Sequence, residues 1–284
     1  MHSVHDLDSA IDRWLHEDIK EGDHTTFSTI PSQASGSAEL LVKEAGILAG
    51  VDVAQRIFKR FDPEIEMALF ILDGKEIRPG DVAFKVSGKV HTLLQCERLV
   101  LNVMQRMSGI ATTTREYVEL LLGTGTRILD TRKTTPGLRL LEKEAVRLGG
   151  GVNHRFGLFD MVLIKDNHVD FAGGVEEAIR GAKSYLAEHK LDLDIVVEVR
   201  TMEDIDKVLA LGGVRRILLD NFSVELTREA VKRINHQVET ESSGGITRET
   251  IRAYAECGID YISVGALTHQ ISSLDLSLKK VMGE

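Results

Sequence analysis

The fold class is decided by residues 195–220, which read IVVEVRTMEDIDKVLALGGVRRILLD. Five residues rich in β-branched side chains come first, apolar residues at helical spacing follow over 203–210, and a second apolar run covers 216–220. Two strands joined by one helix are parallel, because the helix returns the chain to the edge where the first strand began. This stretch therefore predicts an α/β protein with a parallel sheet.

The same unit recurs on both sides of this stretch. Predicted strands lie at 127–130, 161–165, 195–199, 216–220, 237–242 and 261–265, and predicted helices at 137–148, 175–188, 203–210, 224–234 and 247–257. Six such units favour an α/β barrel, and a doubly wound sheet is the alternative.

The first hundred residues have a different pattern. An N-terminal helix is followed by predicted strands at 36–45, 65–72 and 82–90 and by a helix at 51–61. Helical periodicity then extends from His91 to about Leu122, and Gly109 is expected to break it into two helices. We therefore predict two domains, 1–108 and 109–284, with the last helix packing back on the first domain.

Charge and composition narrow the function. The net charge of −9 disfavours nucleic acid and anionic membranes as partners, and no apolar run is long enough to span a bilayer. Residues 130–168, by contrast, hold seven basic against five acidic residues, which indicates an anionic small molecule. Only two cysteines are present, which is typical of a reducing compartment, so we expect a cytoplasmic protein.

Polar residues follow each predicted strand of the second domain, where α/β barrels bind their ligands. They are Asp130, Arg132 and Lys133, then Lys165, Glu198, Asp220, Ser243-Gly244-Gly245, and finally Gly265 and His269. Four cations in or near this group suit carboxylates and phosphates: Arg132, Lys133, Arg155 and Lys165. Arg139 could belong with them or with its helix, whereas Lys143 and Arg147 are expected on a solvated helix face.

Two further features indicate a phosphorylated sugar. The glycine turns at 243–245 and 265–266 precede helices, and their backbone N–H groups would hold a phosphate monoester. Glu198 and Asp220 end neighbouring strands and could hold ribose hydroxyls or Mg²⁺, a role compatible with ion pairs to Lys165 or Lys133.

Several longer motifs resemble one family, the quinolinate phosphoribosyltransferases. They are DTRKTTPG (130–137), GGGVNHR (149–155), LIKDNH (163–168), SGG (243–245) and GALTH (265–269), with EDIKEGDHTT (17–26) and ERLVLNVMQRMSGIAT (97–112) before them. The resemblance implies an N-terminal α/β sandwich followed by an incomplete parallel α/β barrel. It also implies a homodimer with shared active sites, with assembly beyond a dimer left open.

The implied reaction joins quinolinate to phosphoribosyl pyrophosphate and releases nicotinate mononucleotide, CO2 and pyrophosphate, with Mg²⁺ accompanying the pyrophosphate. By the same resemblance, quinolinate would be bound by Arg132, His154, Arg155 and Lys165, and by Arg98 from the partner subunit. Phosphoribosyl pyrophosphate would contact Lys133, Glu198, Asp220, Ser243, Gly244, Gly245, Gly265, Ala266 and His269. Catalysis would fall to Lys133, Lys165, Glu198 and Asp220, the last two also facing the metal.

Departures from the family pattern are mild, and they include Phe156, Phe159 and the Glu241-Ser242-Ser243 run. Three other readings remain open: an aldolase that forms a Schiff base through Lys165, a related phosphoribosyltransferase-like protein associated with molybdate transport, and a non-catalytic binding protein for a phosphorylated metabolite. The complete ERLVLN and VNHR motifs favour quinolinate.

Overall fold

The computed structural model describes residues 4–281, with side chains from Asp6 onward. This part of the chain forms two compact units. Of the described residues, the first unit contains 4–115, 134–150 and 267–281, and the second contains 116–133 and 151–266.

The elements follow in chain order. The helices are α1 (Val4–Ile19), α2 (His24–Thr29), α3 (Val51–Phe61), α4 (Val90–Leu120), α5 (Arg139–Leu148), α6 (Asp166–Ala172), α7 (Val175–His189), α8 (Met202–Leu211), α9 (Val224–Ile234), α10 (Ile251–Ala255) and α11 (Ala266–His269). The strands are β1 (Ser35–Val42), β2 (Gly46–Ile47), β3 (Glu66–Leu69), β4 (Glu76–Ile77), β5 (Val82–Lys89), β6 (Arg127–Leu129), β7 (Val162–Ile164), β8 (Ile195–Val199), β9 (Arg216–Asp220), β10 (Glu239–Ser243), β11 (Tyr261–Ser263) and β12 (Leu276–Lys280).

An antiparallel sheet organises the first unit, with strand order β12-β1-β5-β3. Helix α3 occupies the predicted residues 51–61, and Ile57 and Phe58 on its buried face have no exposed surface. Leu40 and Phe84 from the sheet are equally buried, so a continuous apolar core holds this unit together.

Helix α4 is continuous, so the expected break at Gly109 is wrong. The glycine is there for space: a Cβ built on Gly109 would lie 2.1 Å from the carbonyl oxygen of Ser272. A close backbone approach, and not a helix end, explains this glycine.

The element that returns to the first unit is also different from the prediction. It is strand β12, which pairs antiparallel with β1, and not a helix. Leu276 and Leu278 on β12 are buried, and their alternation with polar residues is the two-residue period of a strand.

A six-stranded parallel sheet forms the second unit, in the order β6-β11-β10-β9-β8-β7. Each of its strands overlaps a predicted strand, and its core includes Val196, Val197, Ile217 and Ile262. Strands β6 and β7 lie at the two edges and do not pair, so the sheet is open and the barrel is incomplete.

The helices of this unit begin and end where local chemistry requires. The hydroxyls of Thr201 and Ser223 accept hydrogen bonds from backbone N–H groups three residues ahead, which caps α8 and α9. Asn235 ends α9 in the left-handed conformation at φ +46°. Two predictions fail here: α6 was not expected, and α10 covers 251–255 instead of 247–257.

Within the described residues, no helix combines the length and the apolar character needed to cross a membrane.

Candidate functional site

The strand ends of the second unit carry most of the predicted site residues. In a parallel sheet the carboxyl ends of neighbouring strands lie at one edge, so residues that follow the strands are brought near one another. The predicted residues of this unit are Arg132, Lys133, His154, Arg155, Lys165, Glu198, Asp220, Ser243, Gly244, Gly245, Gly265 and Ala266, whereas Arg98 and His269 belong to the first unit.

Asp130, directly after β6, anchors the loop that carries two predicted quinolinate ligands. Its carboxylate is fully buried and accepts hydrogen bonds from the Asn153 side chain at 2.7 Å and from the His154 backbone at 2.8 Å. The Asp130 backbone N–H also donates to Val152, at 3.1 Å. These bonds fix the path of residues 152–154 against the first strand of the sheet.

Arg155 is a buried cation. It is 8% exposed, its Nη1 donates to the Met161 carbonyl at 3.2 Å, and its Nε has no hydrogen-bond acceptor among the described residues. Burial, and then the charge of Arg132, lower the pKa of the Arg155 guanidinium. Two neighbouring cations, one of them with a buried donor left over, form a site suited to an anion.

Glu198 and Asp220, on the neighbouring strands β8 and β9, form a carboxylate pair. Burial raises the pKa of Glu198, the charge of Asp220 raises it further, and the charge of Lys165 opposes both. The structure therefore brings a cation and two carboxylates together, as the sequence predicted. Lys165 itself is exposed and precedes α6, and its backbone N–H donates to the His168 ring at 2.9 Å.

The glycine turn after β10 packs against the end of β9. Gly244 has φ +96°, and a Cβ there would lie 2.2 Å from the side-chain oxygen of Asn221. Gly245 follows at φ +61°. A side chain at either position would be strained, so the turn keeps its backbone accessible. Helix α10 begins only at Ile251, which leaves the turn itself as the candidate phosphate contact.

Arg98 and His269 are both exposed in the first unit, on α4 and at the end of α11. This unit also contains an ion pair that the sequence did not predict. Arg106 donates to the buried Glu142 carboxylate at 2.6 Å and to the Thr135 hydroxyl at 2.8 Å. Thr135 lies in the DTRKTTPG motif, so this ion pair holds the segment that follows Lys133.

Three further cations, at positions 139, 143 and 147, lie on helix α5, and the burial of one of them differs from the prediction. Arg139 donates to the Thr134 hydroxyl at 3.0 Å. Arg147 is exposed and pairs with Glu144, as expected for a solvated helix face. Lys143 is 3% exposed, so it does not belong to that face.

A second missed feature is a buried charge cluster behind the strand ends. Glu241 on β10 has no exposed surface, and its Oε2 lies 2.9 Å from Arg216 and 3.4 Å from the His154 ring. An acidic residue within an otherwise buried strand was the available sequence signal, because such residues are seldom fully buried without partners.

A cavity of about 380 Å³ lies in the first unit, lined among others by Trp14, Leu99, Arg106 and Leu141. Of the described residues that line it, none is a predicted site residue. The described part of the chain also contains no group of three or more His, Cys, Asp or Glu side chains arranged to hold a metal ion.

Family models match both halves of the chain. The quinolinate phosphoribosyl transferase C-terminal domain matches residues 110–279, and the N-terminal domain of the same family matches residues 23–108.

Similar proteins cover nearly all of the chain. Quinolinate phosphoribosyltransferase [decarboxylating] 1b of Nicotiana tabacum is 45% identical over 98% of this chain and 83% of its own length. A probable nicotinate-nucleotide pyrophosphorylase [carboxylating] of Bacillus subtilis is 42% identical over 96% of this chain and 92% of its own. The crystal structure of NadC from Streptococcus pyogenes superimposes with a TM-score of 0.93 at 39% identity and 99% coverage of both chains. The chain belongs to the quinolinate phosphoribosyltransferase family.

Proposed function

We propose that this chain transfers the phosphoribosyl group of phosphoribosyl pyrophosphate to quinolinate, with decarboxylation. The products are nicotinate mononucleotide, CO2 and pyrophosphate. Relatives that share more than 40% identity over nearly the whole chain carry names for this reaction. The strand-end residues supply the two kinds of contact it requires: cations for a dianion, and a carboxylate pair with glycine turns for a phosphorylated sugar.

The observation that carries this proposal is the Arg155 guanidinium. A buried cation whose Nε has no acceptor among the described residues, and which lies near a second cation, is costly in the free protein. A bound carboxylate removes that cost by accepting from the planar fork. Quinolinate has two adjacent carboxylates, so Arg132 and Lys165 can take part with Arg155, together with Arg98 of a partner subunit.

Orientation is the main chemical requirement. The nucleophile is a pyridine nitrogen that is unprotonated near neutral pH, so the reaction needs no strong base. It needs the nitrogen held against the anomeric carbon of the ribose, which fixed contacts to two carboxylates achieve. After transfer the ring carries a positive charge, which favours loss of the adjacent carboxylate as CO2.

The remaining predicted residues suit the phosphoribosyl pyrophosphate. We assign Lys133 and His269 to the leaving pyrophosphate, because a cation stabilises its growing negative charge. The backbone N–H groups at 243–245 and 265–266 are assigned to the 5-phosphate.

Mg²⁺ fits the carboxylate pair as a substrate-bound ion. Burial raises the pKa of Glu198 and the charge of Asp220 raises it further, and a divalent cation bound there would relieve the repulsion between the two carboxylates. Two carboxylates are an incomplete ligand set, which matches the way Mg²⁺ shares its coordination with substrate phosphates. Bound there, Mg²⁺ would supply positive charge to the leaving pyrophosphate.

The homodimer, the compartment and the domain boundary are part of the same proposal. Arg98 is exposed on α4, as an arginine that completes a partner's site must be. Both cysteines, Cys96 and Cys257, are free and buried, which suits a cytoplasmic enzyme. The domain boundary is proposed between residues 108 and 109.

The experiment compares quinolinate with nicotinate, each with phosphoribosyl pyrophosphate and Mg²⁺, by measuring pyrophosphate release. Nicotinate lacks the second carboxylate and leaves part of the cation cluster around the buried Arg155 unpaired, so little turnover is expected with it. Equal turnover of both acids would contradict the proposal, and borohydride trapping of Lys165 with a carbonyl substrate would favour the aldolase reading.

A further inference from the structure

The buried carboxylate of Glu241 has contacts that suit a role beyond packing. Burial alone would raise the pKa of Glu241, but the contacts with His154 and Arg216 outweigh it and hold the pKa below its ordinary value. The group is therefore an anion. It lies within the second unit, on the strand that leads into the Ser243-Gly244-Gly245 turn.

The two nitrogens of the His154 ring are both engaged within the protein. Nδ1 accepts a hydrogen bond from the Arg155 backbone N–H at 2.7 Å, so it carries no proton. Nε2 then carries the proton and lies 3.4 Å from Glu241 Oε2. The N–H on Nε2 is therefore directed at Glu241. The acceptor Nδ1 holds the backbone of Arg155, whose guanidinium belongs to the proposed carboxylate site.

The carboxylate of Glu241 is only partly satisfied at its buried position. Its Oε1 is buried without a hydrogen-bond partner among the described residues, which is an unfavourable arrangement for a carboxylate. Its counter-ion does not depend on it, because Arg216 also pairs with Glu239 at 3.1 Å and lies over the Tyr261 ring at 4.0 Å. One oxygen of the Glu241 carboxylate thus lacks a hydrogen-bond partner among the described residues, and Arg216 keeps another carboxylate without it. A buried charge of this kind is weak evidence for a stabilising role, and we infer a role in the site instead.

We propose that Glu241 is a positioning residue for quinolinate binding, acting through His154 on Arg155. The inference rests on the proposed function. Glu241 selects the tautomer of His154 that is protonated on Nε2, Nδ1 then fixes the Arg155 backbone, and the guanidinium is held where a carboxylate meets it.

The test compares three variants by steady-state kinetics. Glu241→Met removes the acceptor and is expected to raise KM for quinolinate roughly 10- to 100-fold, while KM for phosphoribosyl pyrophosphate stays within about twofold. Glu241→Gln keeps an oxygen that can accept from Nε2 and should recover most of the affinity. Glu239→Met is the matched control, because it removes the other carboxylate from Arg216 without touching His154, and its KM for quinolinate should stay near wild type.

A purely structural role would give a different pattern. Glu241→Met would then lower the midpoint of thermal unfolding and raise both KM values together, or Glu239→Met would have the same effect as Glu241→Met. Either result overturns the proposal. If Glu241→Met does not fold, Glu241→Ala is compared with Glu239→Ala by the same criterion, with only the Glu241 variant raising KM for quinolinate.

¹⁵N NMR of the His154 ring gives a readout independent of catalysis. The signal is assigned by its loss in His154→Ala. In the wild-type protein Nδ1 should be unprotonated and Nε2 protonated, and quinolinate should leave this tautomer unchanged. A proton on Nδ1 would overturn the inference even if the enzyme is active. If the wild-type protein does not turn over quinolinate, the proposed function fails, and the tautomer still tests the Glu241–His154 contact.

Discussion

Replacing Arg155 with methionine should separate substrate binding from stability. Methionine keeps most of the aliphatic volume and removes the guanidinium. Truncating one partner of a buried, hydrogen-bonded charge pair costs about 2–5 kcal/mol, which is about 30-fold to about 5,000-fold in kcat/KM for quinolinate. The loss is expected in this range because Arg155 is 8% exposed and has a donor, Nε, left for the substrate.

The free protein should tolerate the same change. The variant loses one hydrogen bond, from Nη1 to the Met161 carbonyl, with a net value of about 1 kcal/mol. It also removes a buried cation whose pKa is lowered by burial and by Arg132, which is a gain in stability. These effects oppose each other, so the midpoint of thermal unfolding should stay within about 5 °C of wild type.

The assay is pyrophosphate release under saturating phosphoribosyl pyrophosphate, with Arg147→Met as the control. Arg147 is exposed and paired only locally with Glu144, so that variant should stay within about twofold of wild type, the range expected when a surface pair is lost. A large unfolding shift in Arg155→Met, with quinolinate kinetics unchanged, would refute the assignment of Arg155 to the carboxylate site.

Three further predictions concern other parts of the molecule. Gly109→Ala should lower the free energy of unfolding in urea by about 1–3 kcal/mol, because its Cβ would meet a carbonyl oxygen. Gly181→Ala is the control: it lies in open space on α7 and should raise the free energy of unfolding by about 0.5–1 kcal/mol. A stabilising effect of Gly109→Ala would contradict the close approach. The pKa of Glu198 is raised on folding, so its contribution to stability is fully present below pH 4.5 and is lost as the pH rises through the folded pKa. Glu198→Gln should therefore become more stable relative to wild type as the pH rises through that window. Parallel pH profiles of the free energy of unfolding for the two proteins would count against the prediction. Mixing inactive Arg98→Ala with inactive Lys165→Ala under subunit exchange should restore about a quarter of wild-type activity. About half of the dimers are then mixed, and each mixed dimer has one intact site. No recovery despite proven exchange would mean that Arg98 does not belong to a shared site.

Periodicity was sufficient to predict the parallel sheet. Strand β9 was predicted at its observed residues 216–220, and β8 at 195–199, because fully buried strands consist of short apolar runs between turn residues. Helix α6 was missed because its seven residues, DNHVDFA, are mostly polar and show no clear helical periodicity.

Long-range contacts set the limit of sequence reasoning. Gly109 looked like a helix end, and only the approach of Ser272, far along the chain, shows why a glycine is needed in mid-helix. Strand β12 forms its ladder with residues more than 200 positions earlier, which local propensity does not reveal.

The same limit applies to the site. Sequence predicted that Glu198 and Asp220 end neighbouring strands, because alternating strands and helices bring such ends together. In the sequence, Glu241 stands out only as part of a departure from the family pattern. Its contacts with His154 and Arg216 join residues far apart in sequence, and their geometry depends on the finished sheet.

The central claim is that this chain decarboxylates quinolinate only as part of phosphoribosyl transfer. The most direct measurement uses quinolinate labelled in its 2-carboxyl group and follows labelled CO2 and pyrophosphate together, with and without phosphoribosyl pyrophosphate. The account predicts one CO2 per pyrophosphate and nicotinate mononucleotide as the product, with no CO2 when phosphoribosyl pyrophosphate is omitted. Release of CO2 without phosphoribosyl pyrophosphate, or pyrophosphate without CO2, would contradict it.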